Sequence, residues 1–421
     1  MNLRGVLFLL GRLLIALSAA LLIPAAVAFF EKESMVAFLV SAGIAFVIGL
    51  VLERRFAMGE EFPFGRHEAF LLVASAWVVA TLVGALPYIF IKGPGFIVDG
   101  IFESASGFTT TGASVFADVE SETKSLLLWR ALTQWLGGMG IIVLGIAVLP
   151  KLAVGGMELL GAEAPGPIKE KLRPRIAQTA KALWGIYSIL TAAEVAILMG
   201  LGLNPFEAVT QSFTTMATGG FATRNASITA FNSPAVEWTI TFFMLLAGAS
   251  FALHFQWIRG KPGPVIRDPE FRLYLAILLI GTVLIGGNLL LDETYYGLHE
   301  AIRLAAFQVT SIVTTTGFAT ADFGAWPYFS YAFLYLMMFV GGCSGSTGGS
   351  VKVVRILIVT KKIAVDLRRL ARPHAVLPLR VGDRTIPNDV VSAVTTFFVL
   401  FLVLFAAGGL ALTVMGLDPE S

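Results

Sequence analysis

A chain of 421 residues in which 56% are hydrophobic and only 14% charged, with a mean hydropathy of +0.81, lies far from the composition of water-soluble domains. That excludes a disordered chain, a collagen-like fibre and a nucleic-acid binder, and it holds more apolar surface than a soluble fold of this size could bury. The net charge of +2 matters less than where Lys and Arg fall along the chain, and the single cysteine, Cys343, leaves no internal disulfide to form.

Taken in chain order, the apolar runs predict nine membrane spans. The first, Leu3–Phe30, is too long for a signal peptide despite Arg4 and Arg12, lacks a cleavage site followed by a soluble domain, and is expected to kink near Pro24. Further spans are predicted at roughly 35–52, 68–91, 125–149, 181–203, 235–258, 271–291, 328–365 (broken by glycines) and 389–415. Trp77, Trp129, Trp184, Trp238 and Trp257 read as packing or interfacial residues. Alternate loops gather Arg54, Arg55 and Arg66 with the basic stretches 169–181, 259–272 and 352–384 on one side. Lys32, Lys92, Lys124, Arg130, Arg224 and Arg303 remain on the other. The basic side is predicted to be the cytoplasm, with the N-terminus on it. The opposite loops carry Asp99, Glu103, Asp118, Glu120, Glu122, Glu207, Asp292, Glu293, Glu300 and Asp322, which reads either as an acidic mouth attracting cations or as solvated loops.

Three segments on that acidic side resemble one another: FESASGFTTTGAS at 102–114, FEAVTQSFTTMATGGFAT at 206–223 and IRLAAFQVTSIVTTTGFAT at 302–320. Their best overlay puts Gly112, Gly220 and Gly317 in register, each after a half-length helix pattern lying between two spans. A helix too short to cross must lie inside protein, with the partial negative charge of its C-terminal end available to a cation. The loop after it is non-helical backbone at membrane depth, tolerated only where it is buried or lines water, and ringed carbonyls can replace the hydration shell of a monovalent cation. These loops contain no carboxylate for a hard divalent ion. Thr/Gly packing between helices is the plainer alternative, against which the three matched copies argue.

These motifs, together with QWLGGMGIIVL at 134–144, PRIAQTAKALW at 174–184 and GGCSGSTGGSVKVVR at 341–355, resemble the Trk/Ktr/HKT superfamily of potassium transporters, and within it the bacterial TrkH type. The resemblance runs from end to end. It implies an all-α polytopic membrane protein in which span–pore helix–span units surround one central pore beside an extra N-terminal helix pair. The divisions it suggests are the helix pair at 1–60, pore repeats at 61–150, 170–258 and 268–370, and the first helix of a fourth repeat at 385–421. Potassium would bind at a filter formed by Thr110, Thr111 and Gly112, by Thr218, Gly219 and Gly220, and by Thr315, Thr316 and Gly317. Backbone carbonyls would do most of the coordination; relatives with serine at the aligned glycine admit sodium more readily. Gly341, Gly342, Cys343, Ser344, Gly345, Ser346, Thr347, Gly348 and Gly349 would form an intramembrane gate loop, in a stretch too glycine-rich for a stable helix. The family implies potassium uptake across the bacterial inner membrane, no enzyme activity and no cofactor in this chain. Its implied partners are the lipid bilayer, a second copy in a homodimer and a cytoplasmic nucleotide-binding subunit of the TrkA/KtrA kind, with no nucleic acid. A fourth Thr/Asn-Gly loop, expected some 100–120 residues after Gly317, has no counterpart before Ser421, so the sequence reads as C-terminally incomplete.

Two rival readings stay open. A proton- or sodium-coupled symporter would give a role to Glu194, an acid within a span, for which the sequence names no partner. An intramembrane hydrolase centred on Ser344 in the GCSG run would need a histidine base from among His67, His254, His299 and His374. The Gly-rich run also lacks the GxxxxGK[ST] of a phosphate loop. Gln134 is expected to hydrogen-bond inside the protein, Gly137, Gly138 and Gly140 to allow close helix packing, and the basic stretch 361–384 to meet lipid headgroups or the regulatory subunit.

Overall fold

A computed structural model describes residues 3–57, 66–147, 172–295, 297–372, 375, 377–382 and 384–416. The chain is an all-α membrane protein. Helices α1 (Leu3–Phe30) and α2 (Val36–Arg55) form an antiparallel pair packed against the flank of the first long helix and its partners. Their contact is set by two glycines: a Cβ on Gly11 would lie 2.8 Å from the Gly49 carbonyl oxygen, and one on Gly49 would lie 2.8 Å from that of Gly11. Backbones this close pack well in lipid, where small residues replace the hydrophobic drive available in water. Pro24 lies inside an unbroken α1.

Three units of long helix, short helix, loop and long helix come next. The first is α3 (Arg66–Lys92), α4 (Ile97–Phe108) and α5 (Lys124–Ala147). The second is α6 (Leu172–Gly200), α7 (Pro205–Met216) and a final helix broken into α8 (Pro234–Gly248) and α9 (Phe251–Ile258). After the short α10 (Pro262–Arg267), the third is α11 (Pro269–Leu291), α12 (Leu298–Val313) and another divided helix, α13 (Tyr328–Met337) and α14 (Val353–Ala371). A two-residue ribbon, β1 (Arg380–Val381) antiparallel to β2 (Arg384–Thr385), leads into α15 (Asn388–Val414). At 12, 12 and 16 residues, α4, α7 and α12 fall short of the roughly 30 Å hydrocarbon layer, since a helix rises about 1.5 Å per residue.

The span predicted as continuous over 235–258 is corrected: α8 and α9 meet at 99° around Ala249 and Ser250. A Cβ on Gly248 would lie 2.5 Å from the Tyr274 hydroxyl, so the bend occurs where the backbone is pressed against α11. The helix predicted at 181–203 runs instead from Leu172 to Gly200, and the end of the predicted 125–149 span lies partly outside the described residues. The core is distributed rather than central. Leu21, Phe38, Tyr88 and Trp129 bind the helix pair to the first unit; Tyr187, Met216, Phe243 and Phe251 fill the second; Tyr274, Ile285, Val309 and Val313 fill the third. Glu33, just before α2, accepts hydrogen bonds from the Lys124 and Ser125 N–H groups at 2.9 and 3.0 Å, capping the N-terminus of α5.

Replacing Gly49 by Leu should force α1 and α2 apart at an overpacking cost of about 1–3 kcal/mol. The melting temperature in detergent should fall, whereas Gly43→Leu, at a position where a Cβ meets nothing within 4 Å, should leave it unchanged.

Candidate functional site

Each short helix ends in the same way. Thr110, Thr218 and Thr315 have φ of +56°, +53° and +60°, and two residues later Gly112, Gly220 and Gly317 have φ of +81°, +75° and +83°. The N–H of Thr111 reaches back to the Ser106 carbonyl at 2.9 Å, that of Gly219 to Thr214 at 2.9 Å, and that of Thr316 to Ser311 at 2.8 Å. The N–H groups of Thr110, Thr218 and Thr315 bond in turn to Gly107, Thr215 and Ile312. This is the Schellman ending, whose left-handed position is usually glycine. A β-branched residue there is a genuine outlier costing about 1–3 kcal/mol, and such strain persists where the surroundings over-determine it. It occurs in all three units.

The loops abut in chain order. A Cβ on Gly112 would lie 2.2 Å from the Gly219 carbonyl oxygen and one on Gly220 1.9 Å from that of Thr316, so at both positions only glycine fits, in space as in φ. Gly112, Gly220 and Gly317 line one open cavity of about 230 Å³, with Ser114, Phe116, Arg130, Phe221, Arg224, Asn225 and Ser227 among its other walls.

The second loop departs from the other two. Thr109 and Thr111 share a hydroxyl–hydroxyl bond of 2.8 Å, as do Thr314 and Thr316, but Ala217 and Gly219 occupy the corresponding places in the second unit. There Gln134 of α5 fills the gap: its Nε2 donates to the Gly219 carbonyl at 2.7 Å, and its Oε1 accepts from the Phe221 N–H at 3.1 Å. A Cβ on Gly219 would lie 2.3 Å from the Gln134 side chain, so the missing threonine makes room for the clamp. The Gly219 carbonyl is thus already engaged. In the same helix a Cβ on Gly137 would lie 2.0 Å from the Phe108 carbonyl oxygen and one on Gly138 3.0 Å from the Ala217 Cα, bringing α5 against the ends of two short helices.

The glycine-rich segment 341–350 lies against these loops. Its ends are joined by a bridge between Val340 and Val351, and the Gly341 N–H donates to the Val351 carbonyl at 2.9 Å. The Gly349 N–H donates to the Thr315 hydroxyl at 2.7 Å, and the Thr347 hydroxyl to the Met216 carbonyl at 3.1 Å. The bend between α8 and α9 supplies further partners. Cys343 N–H donates to the Gly248 carbonyl at 2.8 Å and Phe251 N–H to the Gly345 carbonyl at 3.0 Å. Most of the segment, including Cys343 and Thr347, is buried. His254 does not serve Ser344, because its Nε2 is bonded to the Leu246 carbonyl at 2.8 Å; His374 lies outside the described residues.

Many of the acids that read as a cation-attracting mouth are locally neutralised. Glu103 is fully buried, paired with Arg130 at 3.1 Å, and accepts from the Ser114 hydroxyl and the Val115 N–H at 2.6 Å each. Arg130 also lies over the Phe221 ring at 4.1 Å. Glu207 pairs with Arg224 at 2.5 Å and Glu122 with Lys92 at 2.7 Å; Glu237, outside that set, pairs with Arg303. Asp118 is exposed, and the Asn225 amide donating to it at 2.8 Å holds its carboxyl below the usual carboxylate range. The internal hydrogen bonding expected of Gln134 is found, but sequence reading named neither its partners nor these ion pairs, which lie 17–87 residues apart. Among the described residues no group of three or more His, Cys, Asp or Glu could hold a metal ion.

Known proteins are similar to this chain in sequence and in fold. The family model described as TrkH, cation transport protein, matches residues 37–419. The Trk system potassium uptake protein TrkH of Escherichia coli K12 is 41% identical over all of this chain and 88% of its own length. The protein of that name in Halomonas elongata is 40% identical over 96% of this chain and 84% of its own. The crystal structure of the potassium transporter TrkH from Vibrio parahaemolyticus superposes with a TM-score of 0.91 at 36% identity, covering all of this chain and 87% of that one.

The buried pair generates a test. Arg130→Met strands the Glu103 carboxylate and should cost about 3–5 kcal/mol of stability. Adding Glu103→Gln, which can still accept from Ser114 and Val115, should restore part of that loss in a thermal melt.

Proposed function

The chain belongs to the TrkH family of cation transport proteins, and on that premise we propose that it takes up potassium through a pore lined by the three Thr-x-Gly loops. The observation that carries the reading is the convergence of the three left-handed loops on one cavity. A ring of backbone carbonyls can replace the water of a weakly hydrated monovalent ion. Thr110, Thr111, Gly112, Thr218, Gly219, Gly220, Thr315, Thr316 and Gly317 form the filter, with the Gly219 carbonyl also accepting from Gln134. The three units act as pore repeats, the helix pair stands outside the pore and α15 opens a fourth repeat. Segment 341–349 is the gate, a role supported by its bonds to Thr315 and Met216 directly against the filter loops. The protein resides in the bacterial inner membrane with its basic loops and N-terminus in the cytoplasm. It works as a homodimer with a nucleotide-binding cytoplasmic subunit, as the family resemblance implies. The transported potassium is cargo, and no resident cofactor enters the mechanism.

Gly220→Ser tests the filter. The added side chain has no room beside the Thr316 carbonyl and strains a φ of +75°, so sodium permeability should rise relative to potassium in reconstituted vesicles. Unchanged selectivity would remove Gly220 from the filter.

A coupled symport is the second reading, favoured by one observation. Glu194 on α6 is fully buried, both carboxylate oxygens lack a hydrogen-bond partner among the described residues, and the nearby Thr215 hydroxyl is given to the Gln211 carbonyl at 2.8 Å. Potassium accumulation driven by an imposed proton gradient, and lost in Glu194→Gln, would establish this reading; uptake indifferent to the gradient would dismiss it.

A further inference from the structure

Half of segment 341–350 is glycine, the residue that loses most freedom on ordering, so its single buried conformation needs fastening from outside. One carboxylate provides much of that fastening. Glu270, in the first turn of α11, accepts through Oε1 from the Ser344 N–H at 2.6 Å and from the Val354 N–H at 3.1 Å. Val354 is the second residue of α14, so the same oxygen also caps the start of that helix at the favourable end of its dipole. Three elements therefore meet at one atom. From the other flank, the Lys352 ammonium donates to the Ser346 hydroxyl at 3.3 Å and to the Gly348 carbonyl.

We infer that Glu270 is a positioning residue, a clip that holds the glycine-rich segment closed by tying it to α11 and α14 together. The clip acts on the segment that the proposed function treats as the gate, and it rests on that reading only for its effect on ion flow. Releasing the clip frees Ser344 and the first turn of α14 at once, because neither N–H has another acceptor inside the helix or bridge among the described residues. A carboxylate one methylene shorter keeps the charge but cannot span both donors. Glutamine keeps the length and an acceptor oxygen but loses the charge assistance.

Cys343, the sole cysteine and fully buried within the segment, reports the result without reference to transport. The native protein in vesicles is treated with a water-soluble methanethiosulfonate, and modification of Cys343 is followed by mass spectrometry beside rubidium tracer flux. Glu270→Ala and Glu270→Asp should both speed modification by about tenfold or more, the change expected from losing one charge-assisted hydrogen bond, with Glu270→Gln between them and the parent. Modification at the parental rate in Ala, or protection retained in Asp but lost in Gln, would overturn the clip. If Ala does not fold, the contrast of Asp with Gln decides. Deletion of residues 344–348 separates the two ideas. Raised rubidium flux in the deletion with parental Cys343 protection in every Glu270 variant overturns the clip and leaves the gate. Faster labelling in the Glu270 variants with unchanged flux in the deletion upholds the clip and overturns the gate.

Discussion

Backbone that leaves a helix at membrane depth has no water to turn to, and this constraint organises the molecule. Each of the three short helices stops inside protein and exposes carbonyl and N–H groups that need partners. The Schellman endings at Thr110, Thr218 and Thr315 satisfy part of that demand, at the strain of a β-branched residue in the left-handed region. The rest of the fold holds that strain in place. Gly137 and Gly138 let α5 close on the helix ends, Gly112 and Gly220 let neighbouring loops touch backbone to backbone, and the bend of α8 into α9 admits the glycine-rich segment. Small residues sit where backbone meets backbone.

The three units solve one problem with different chemistry. In the first and third, threonine hydroxyls two residues apart brace the loop from within. The second has alanine and glycine at those places and is braced from outside by Gln134. Ion pairs vary as well: Glu103 pairs with Arg130 of its own unit, whereas Arg303 of the third unit pairs with Glu237 of the second. Such exchanges hide a repeat at the level of residue identity while conserving its physics.

Legibility in the sequence tracked the range of the interactions. Span positions came from local hydropathy, and the Thr-Gly loops from a pattern within about a dozen residues repeated at matched places. Potassium as the cargo rested on the family resemblance rather than on spacing. The long-range partnerships were not legible, since nothing near Gln134 indicates Gly219, 85 residues away, and nothing near Glu270 indicates Ser344. A signal for the bend did exist: Gly248, Ala249 and Ser250 are three small residues in an otherwise bulky apolar run. Hydropathy averages over such a run and reports one span. The acid-rich loops left two readings open for the same reason, because counting carboxylates on one side does not reveal the Arg and Lys that folding sets against Glu103, Glu122 and Glu207.

The glycine-rich segment joins these threads. It hydrogen-bonds to the third loop through Thr315, to the end of the second short helix through Met216, and to the bend through Gly248. A segment bonded at once to two of the loops and to a hinge cannot shift without leaving polar groups of each unpaired, and buried unpaired groups are costly. Its movement is therefore coupled to the geometry of the loops above it. Five glycines make the segment adaptable in conformation, and the bonds around it make one conformation prevail. As the gate we propose, the segment would place its barrier in backbone hydrogen bonds rather than in a plug of large side chains, with the energy of opening set by the groups that hold the segment at its ends.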